Sequence, residues 1–251
     1  MNPLDSSCHQ ESAIQSRLGA VLFDLDGTLV DTAPGMAQAL NRLLASRGLA
    51  TLPYPVIRPH VSGGTRALLK LATQETGLSF ADPSWNCTFL EHYAVTMTHG
   101  IGFFPGIVEL LAQLHAWSVP WAIVTNKPQH LAEKVMDFLL PALDGRAVPP
   151  CCLVGGGSTF KPKPDPAGTL HALVCCDALP QQAVMVGDDQ RDIVAGHAAG
   201  VYTVAATYGY IPLREEPSGW GAHALCASPL AVLDHLATLR TQQPSWQTAR
   251  A

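Results

Sequence analysis

Long apolar runs, clusters of one charge and metal-binding cysteine spacings are all scarce in this chain. Only 14% of its 251 residues are Asp, Glu, Lys or Arg, and the formal net charge is -5. The chain has no Lys/Arg run, which argues against nucleic acid or an anionic membrane surface as the main partner. No uninterrupted apolar stretch approaches the roughly 20 residues of a membrane span. Residues 1–17 are largely polar, lack the apolar centre of an export signal and are expected to form a disordered lead-in. A cytoplasmic protein is the expectation. Its seven cysteines show no C-x-x-C spacing and its ten histidines no H-x-x-x-H cluster, so neither a zinc site nor a disulfide framework is announced. The cysteines read as small apolar residues in a reducing compartment, and the adjacent pairs Cys151, Cys152 and Cys175, Cys176 keep an open role.

What is present begins with V-L-F-D-L-D-G-T-L-V at 21–30. A buried strand alternates its side chains, so Asp24 and Asp26 point the same way at its carboxyl end. Two carboxylates that close repel each other unless a cation intervenes, and a hard, oxygen-ligated ion such as Mg²⁺ suits them. Gly27 permits the turn that follows. The same letters also serve as a simple turn and cap where a strand stops.

Behind this strand, residues 32–47, 65–75 and 85–97 carry apolar residues at helical spacing with no strand pattern between them, which makes 31–102 a helical insertion. From Phe103 the pattern alternates. Helices are expected around 107–114, 131–139, 170–174 and 193–199, and strands at 120–124, 151–154, 183–186 and 201–205. Such alternation implies a parallel sheet with helices on both faces and ligands gathered beyond the carboxyl ends of the strands. The expected fold is therefore α/β, with a Rossmann-like doubly wound core over 18–30 and 103–240 and a small helical cap domain over 31–102. Hinges fall near Asp31 and at 103–106, and residues 241–251 read as a mobile tail.

Three further polar clusters close strands or turns. Thr125, Asn126 and Lys127 follow the apolar run 121–124, where a hydroxyl can donate to an anion or merely finish a strand. The segment 160–166 reads F-K-P-K-P-D-P, a proline-rich turn whose lysines are either active or solvated. The fourth, G-D-D-Q-R-D at 187–192, opens a helix, and acidic residues there also cap it, a part suited to Asp189. In the insertion, Ser62, Gly63, Gly64, Thr65 and Arg66 form a turn entering a helix, suited either to receiving an anionic group or to ordinary capping.

The four clusters, in this order, resemble the motifs of the haloacid dehalogenase superfamily and extend from residue 21 to about residue 210. The resemblance implies that Asp24 is the nucleophile that accepts a phosphoryl group and Asp26 the general acid and base. It implies phosphate binding by Thr125 and Asn126, and puts the active lysine at Lys161, leaving Lys163 in a variable position. Mg²⁺ would be held by Asp24, Asp188 and the main-chain carbonyl of Asp26, with Asp192 orienting the site and Arg66 meeting the substrate. The implied activity is hydrolysis of a small-molecule phosphate ester through an aspartyl-phosphate, and the nearest resemblance is to phosphoglycolate phosphatases. The segment from Tyr208, Gly209 and Tyr210 through Trp220, Gly221 and Ala222 also resembles N-acetylmuramic acid 6-phosphate phosphatases. A β-phosphoglucomutase-like isomerase would use the same four motifs, and a receiver domain, which also gathers carboxylates, Thr and Lys around Mg²⁺, lacks the helical insertion.

Overall fold

The apolar run that precedes Asp24 lies at the centre of a six-stranded sheet. The computed structural model describes residues 18–80, 82–157, 159–212 and 215–241, so the expectations for 1–17 and for 242–251 lie outside the described residues. Strand β1 (Ala20–Phe23) pairs in parallel with β4 (Trp121–Pro128) on one side and β6 (Ala183–Gly187) on the other. β5 (Leu153–Gly156) adds beyond β4, while β7 (Tyr202–Ala206) and β8 (Ala224–Cys226) add beyond β6, giving the parallel order β5-β4-β1-β6-β7-β8. Parallel strands need crossovers, and the helices that supply them cover both faces.

Strand alternation divides the core in two. Val21, Phe23, Ile123, Val184 and Val186 face α5 (Ile107–Ala116), α6 (Gln129–Leu139) and α9 (Pro229–Thr241). Ala20, Leu22, Ala122, Val124 and Met185 face α7 (Ala167–Cys175) and the end of α8 (Gln190–Ala199). Each large side chain fully buried this way contributes about 1.5–3 kcal/mol, so the central strands are fixed in place by both faces at once.

The insertion starts and ends at one point. β2 (Val30–Asp31) and β3 (Gly102–Phe103) pair antiparallel, Val30 with Phe103 and Asp31 with Gly102. Between them come α1 (Ala33–Ser46), the short α2 (Tyr54–Ile57), a 3-10 segment (Arg58–Gly63), α3 (Gly64–Thr76) and α4 (Ser84–Thr96). The three long helices match the expected segments to within a residue or two, because their apolar stripes are continuous. The two-residue strands, α2 and the 3-10 segment are too short to show a period, so the sequence pattern passes over them. β8 is missed for the same reason, and α9 is also absent from the expected elements, although Val232, Leu236 and Leu239 are buried at helical spacing.

Candidate active site

The carboxyl ends of β1, β4 and β6 meet in a cavity of about 330 Å³ lined by Asp24, Asp26, Thr125, Asn126, Lys127, Lys163 and Asp192, among others. Asp24 sits one residue past β1, its N–H donating to the Val186 carbonyl at 2.9 Å, so its position is set by the ladder to β6. Asp188 follows β6 and is completely buried beneath the cavity.

Asp24, Asp188 and Asp192 form an acidic trio with carboxylate oxygens within 4.8 Å of one another. Neutral donors orient Asp188: Thr28 Oγ1 at 3.1 Å, Ser62 Oγ at 2.9 Å and the Tyr210 N–H at 2.8 Å. Burial, then the charges of Asp24 and Asp192, hold the Asp188 carboxyl well above the usual range. Burial likewise pushes Asp192 up to about 7 against the pull of Lys163. Two glycines let the chain approach this closely. At Gly27, with φ of 90°, a Cβ would lie 2.0 Å from Asp188 Oδ2, and at Gly209 one would lie 2.3 Å from the Asp188 Cβ.

The sequence pattern puts Lys161 at Asp24, and the structure corrects this by one K-P step. Lys163 Nζ lies 2.7 Å from Asp24 Oδ1, 2.6 Å from Asp192 Oδ1 and 2.6 Å from the Val124 carbonyl oxygen, and the residue is buried. Lys161 is exposed and is not part of the cavity lining. K-P-x-P fits the sequence at both lysines, and the choice is made by Asn126, whose amide grips both main-chain groups of residue 163. Asn126, expected to bind phosphate, lines the cavity with its side-chain oxygen and nitrogen both hydrogen-bonded to the Lys163 main chain. Burial opposes the charge of Lys163, yet Asp192 and Asp24 keep its proton affinity above that of an ordinary lysine. Thr125 is buried at the cavity wall, with Oγ1 accepting from the Lys127 N–H at 3.2 Å.

Asp26 faces the same cavity but belongs to a second network. Its Oδ1 accepts from Lys127 Nζ at 3.0 Å and from Thr32 Oγ1, while Lys127 Nζ also donates to the Tyr93 hydroxyl on α4 at 2.8 Å. Both bonds converge on Oδ1. The Asp26 carboxylate is not one of the acidic trio.

The insertion closes over the site. Arg191 donates to the Ser62 carbonyl at 2.8 Å while paired with Asp189, whose carboxylate also caps α8 as expected. Arg58 donates to the carbonyl of Gly209 at 3.1 Å, and Tyr210 donates to Asp31 at 2.7 Å and accepts from the Ala33 N–H at 3.0 Å. Arg66 is exposed at the cavity edge and has no polar partner among the described residues. Sequence reasoning misses Ser62 as a contact of Asp188 and misses the roles of Tyr93, Arg58, Arg191 and Tyr210, since each acts across a long stretch of chain.

The donor set fits a hard divalent cation. Three carboxylates around one lysine leave an excess of two negative charges when all are ionised, and every free ligand atom is oxygen. Together the groups offer a nucleophilic carboxylate beside a fixed ammonium, and a separate carboxyl able to carry a proton.

A family model described as haloacid dehalogenase-like hydrolase matches residues 21–206. The chain is 37% identical over 214 residues to an N-acetylmuramic acid 6-phosphate phosphatase of Pseudomonas putida, covering 85% of this chain and 94% of that one. It is 38% identical over 210 residues to a phosphoglycolate phosphatase of Xanthomonas campestris, covering 84% and 92%. Among solved structures, a predicted phosphoglycolate phosphatase from Haemophilus somnus superposes with a TM-score of 0.74 at 24% identity, over 87% of this chain and 97% of that one, a likeness of fold.

Proposed function

Since the chain belongs to the haloacid dehalogenase-like hydrolase family, we propose that it hydrolyses a small phosphate monoester in the cytoplasm, with Mg²⁺ as cofactor and Asp24 as nucleophile. The observation that carries this reading is the pairing of Asp24 with Lys163 inside the acidic trio at the end of β1.

Asp24 attacks phosphorus in line and becomes an aspartyl-phosphate. Lys163 neutralises charge on both the nucleophile and the incoming phosphoryl group, allowing two anions to meet. Thr125 donates to a phosphoryl oxygen, and Asn126 holds the lysine's main chain. Asp26, steadied through one oxygen by Lys127 and Thr32, gives a proton to the leaving alcohol and takes one from the water that cleaves the intermediate. Mg²⁺, bound by Asp24, Asp188 and the Asp26 carbonyl with Asp192 orienting them, would supply charge stabilisation of the transferring group. Residues 31–102 serve as the cap that excludes water, with Ser62, Arg58 and Tyr93 as its contacts to the core.

The substrate read from Arg66 is a phosphate ester bearing an acid group, first of all 2-phosphoglycolate, the kind of molecule named by the Xanthomonas relative. N-acetylmuramic acid 6-phosphate is the second reading. The cavity of about 330 Å³ favours it, since a two-carbon acid needs far less room, and so does the Pseudomonas relative. Phosphate release from both esters, with and without Mg²⁺, tests the proposal. Mg²⁺-dependent release that vanishes in Asp24→Asn supports it. Full activity in Asp24→Asn, or transfer between two positions of a hexose phosphate in place of release, overturns it.

A further inference from the structure

Asp26 is tied to the insertion through one intervening lysine. Tyr93 lies on α4, is buried and lines the cavity, and its hydroxyl accepts from Lys127 Nζ at 2.8 Å. The same Nζ donates to Asp26 Oδ1 at 3.0 Å and stands 4.8 Å from the centre of the Tyr93 ring. The phenol therefore covers the ammonium as well as accepting from it. Phe89, one turn earlier on α4, stacks on Tyr93 with ring centres 6.2 Å apart and packs the ring in place.

The end of β4 brings Lys127 to this point. On an extended strand residues 125 and 127 share one side and 126 the other. Thr125 and Lys127 are accordingly buried at the cavity wall, while the Asn126 amide turns to Lys163. On the insertion side, α1 and α4 pack closely: Thr96 Oγ1 donates to the Gly35 carbonyl at 2.8 Å, and a Cβ at Gly35 would lie 2.7 Å from the Thr96 carbonyl oxygen. Thr32, the second donor to Asp26 Oδ1, immediately precedes α1. Both donors on that oxygen are thus held by the α1 and α4 pair, Thr32 directly and Lys127 through Tyr93.

We propose that Tyr93 is a positioning residue for proton transfer: supplied by the insertion, it holds Lys127 on Asp26, so Asp26 delivers its proton effectively only with α4 in place over the cavity. The proposal rests on the reading of Asp26 as acid and base. With α4 displaced, Lys127 loses its hydroxyl partner and its ring cover, and water weakens its pairing with Asp26. As Asp24 takes the phosphoryl group, the ester P–O bond breaks and Asp26 gives its proton to the departing oxygen, becoming a carboxylate. An alkyl oxygen needs that proton, because an alcohol is a very weak acid. 4-Nitrophenolate leaves as a stable anion without it. Placement of Asp26 therefore governs the cleavage of alkyl esters and matters little to the aryl one.

The test compares kcat/KM, with Mg²⁺ present, for 4-nitrophenyl phosphate and for whichever of the two alkyl esters above the full-length parent hydrolyses faster. This quantity reports the steps up to release of the alcohol. Tyr93→Phe keeps the ring and should lower the alkyl-to-aryl ratio about tenfold, and Lys127→Met about 10- to 100-fold, the range for losing a group that orients a reacting residue. Combining the two should lower the ratio no further than Lys127→Met alone, since Tyr93 acts through Lys127. Asp26→Asn should lower it most. A merely structural tyrosine would slow both esters alike. The proposal is overturned by an unchanged ratio in Tyr93→Phe, or by a double variant whose loss is the product of the single ones. An unchanged ratio in Asp26→Asn overturns the acid and base reading beneath it. Tyr93→Phe decides the proposal if Lys127→Met does not fold.

Discussion

The Asn126 amide accepts from the Lys163 N–H at 2.8 Å and donates to the Lys163 carbonyl at 2.9 Å, so the end of β4 dictates which lysine of K-P-K-P reaches Asp24. Lys163→Ala should lower kcat by about 10²- to 10³-fold, the usual loss for a donor on a transferring group. Asn126→Ala should lower it about 10- to 100-fold, by the logic of groups that orient a reacting residue. Lys161→Ala should leave kcat unchanged, and steady-state kinetics on all three variants checks the assignment. A large loss at Lys161 with little at Lys163 would restore the register expected from sequence.

Metal-free protein should lose stability as pH rises. The Asp192 carboxyl binds its proton more tightly when folded, with a value of about 7 against an ordinary 3.8. A raised carboxyl favours folding fully below the ordinary value and loses that contribution as pH climbs through the folded value. Asp188 shifts in the same direction. Unfolding temperatures without metal should therefore fall between about pH 4 and pH 7, and Mg²⁺ should raise them most at the alkaline end, where it replaces the lost protons. Equal stabilisation by Mg²⁺ at pH 5 and pH 8 would contradict this.

Lys127 is buried between Asp26 and Tyr93, so Lys127→Met should cost about 3 kcal/mol by leaving a poorly solvated carboxylate without its partner. Tyr93→Phe should cost only about 1 kcal/mol, since one hydrogen bond is lost and the ring still packs. Denaturant unfolding of both variants at neutral pH measures the difference.

Arg66→Ala should raise KM about tenfold for acid-bearing phosphate esters, the effect of removing one exposed charge-assisted contact. The same variant should treat an aryl phosphate without a carboxylate as the parent does. A uniform change across both substrates would remove Arg66 from substrate recognition.

Much of the fold is written locally. Continuous apolar runs at 20–23 and 183–186, and helical stripes such as Met36, Leu40, Leu43 and Leu44, are properties of short windows. Asp24, Asp26, Thr125 and Asp188 are legible for a related reason: each stands at the end of an apolar strand, and a parallel sheet brings such ends to one edge. The Lys163 register, the turn of Asp26 toward Lys127 and the Ser62 contact with Asp188 belong to the path of the chain in space. No window of sequence contains both partners of these contacts, and side-chain period carries no information on which distant residue lies opposite. The sequence by itself determined most of the longer elements and the acidic edge they form; packing of the insertion and of the Lys163 loop against the sheet decided which side chains complete it.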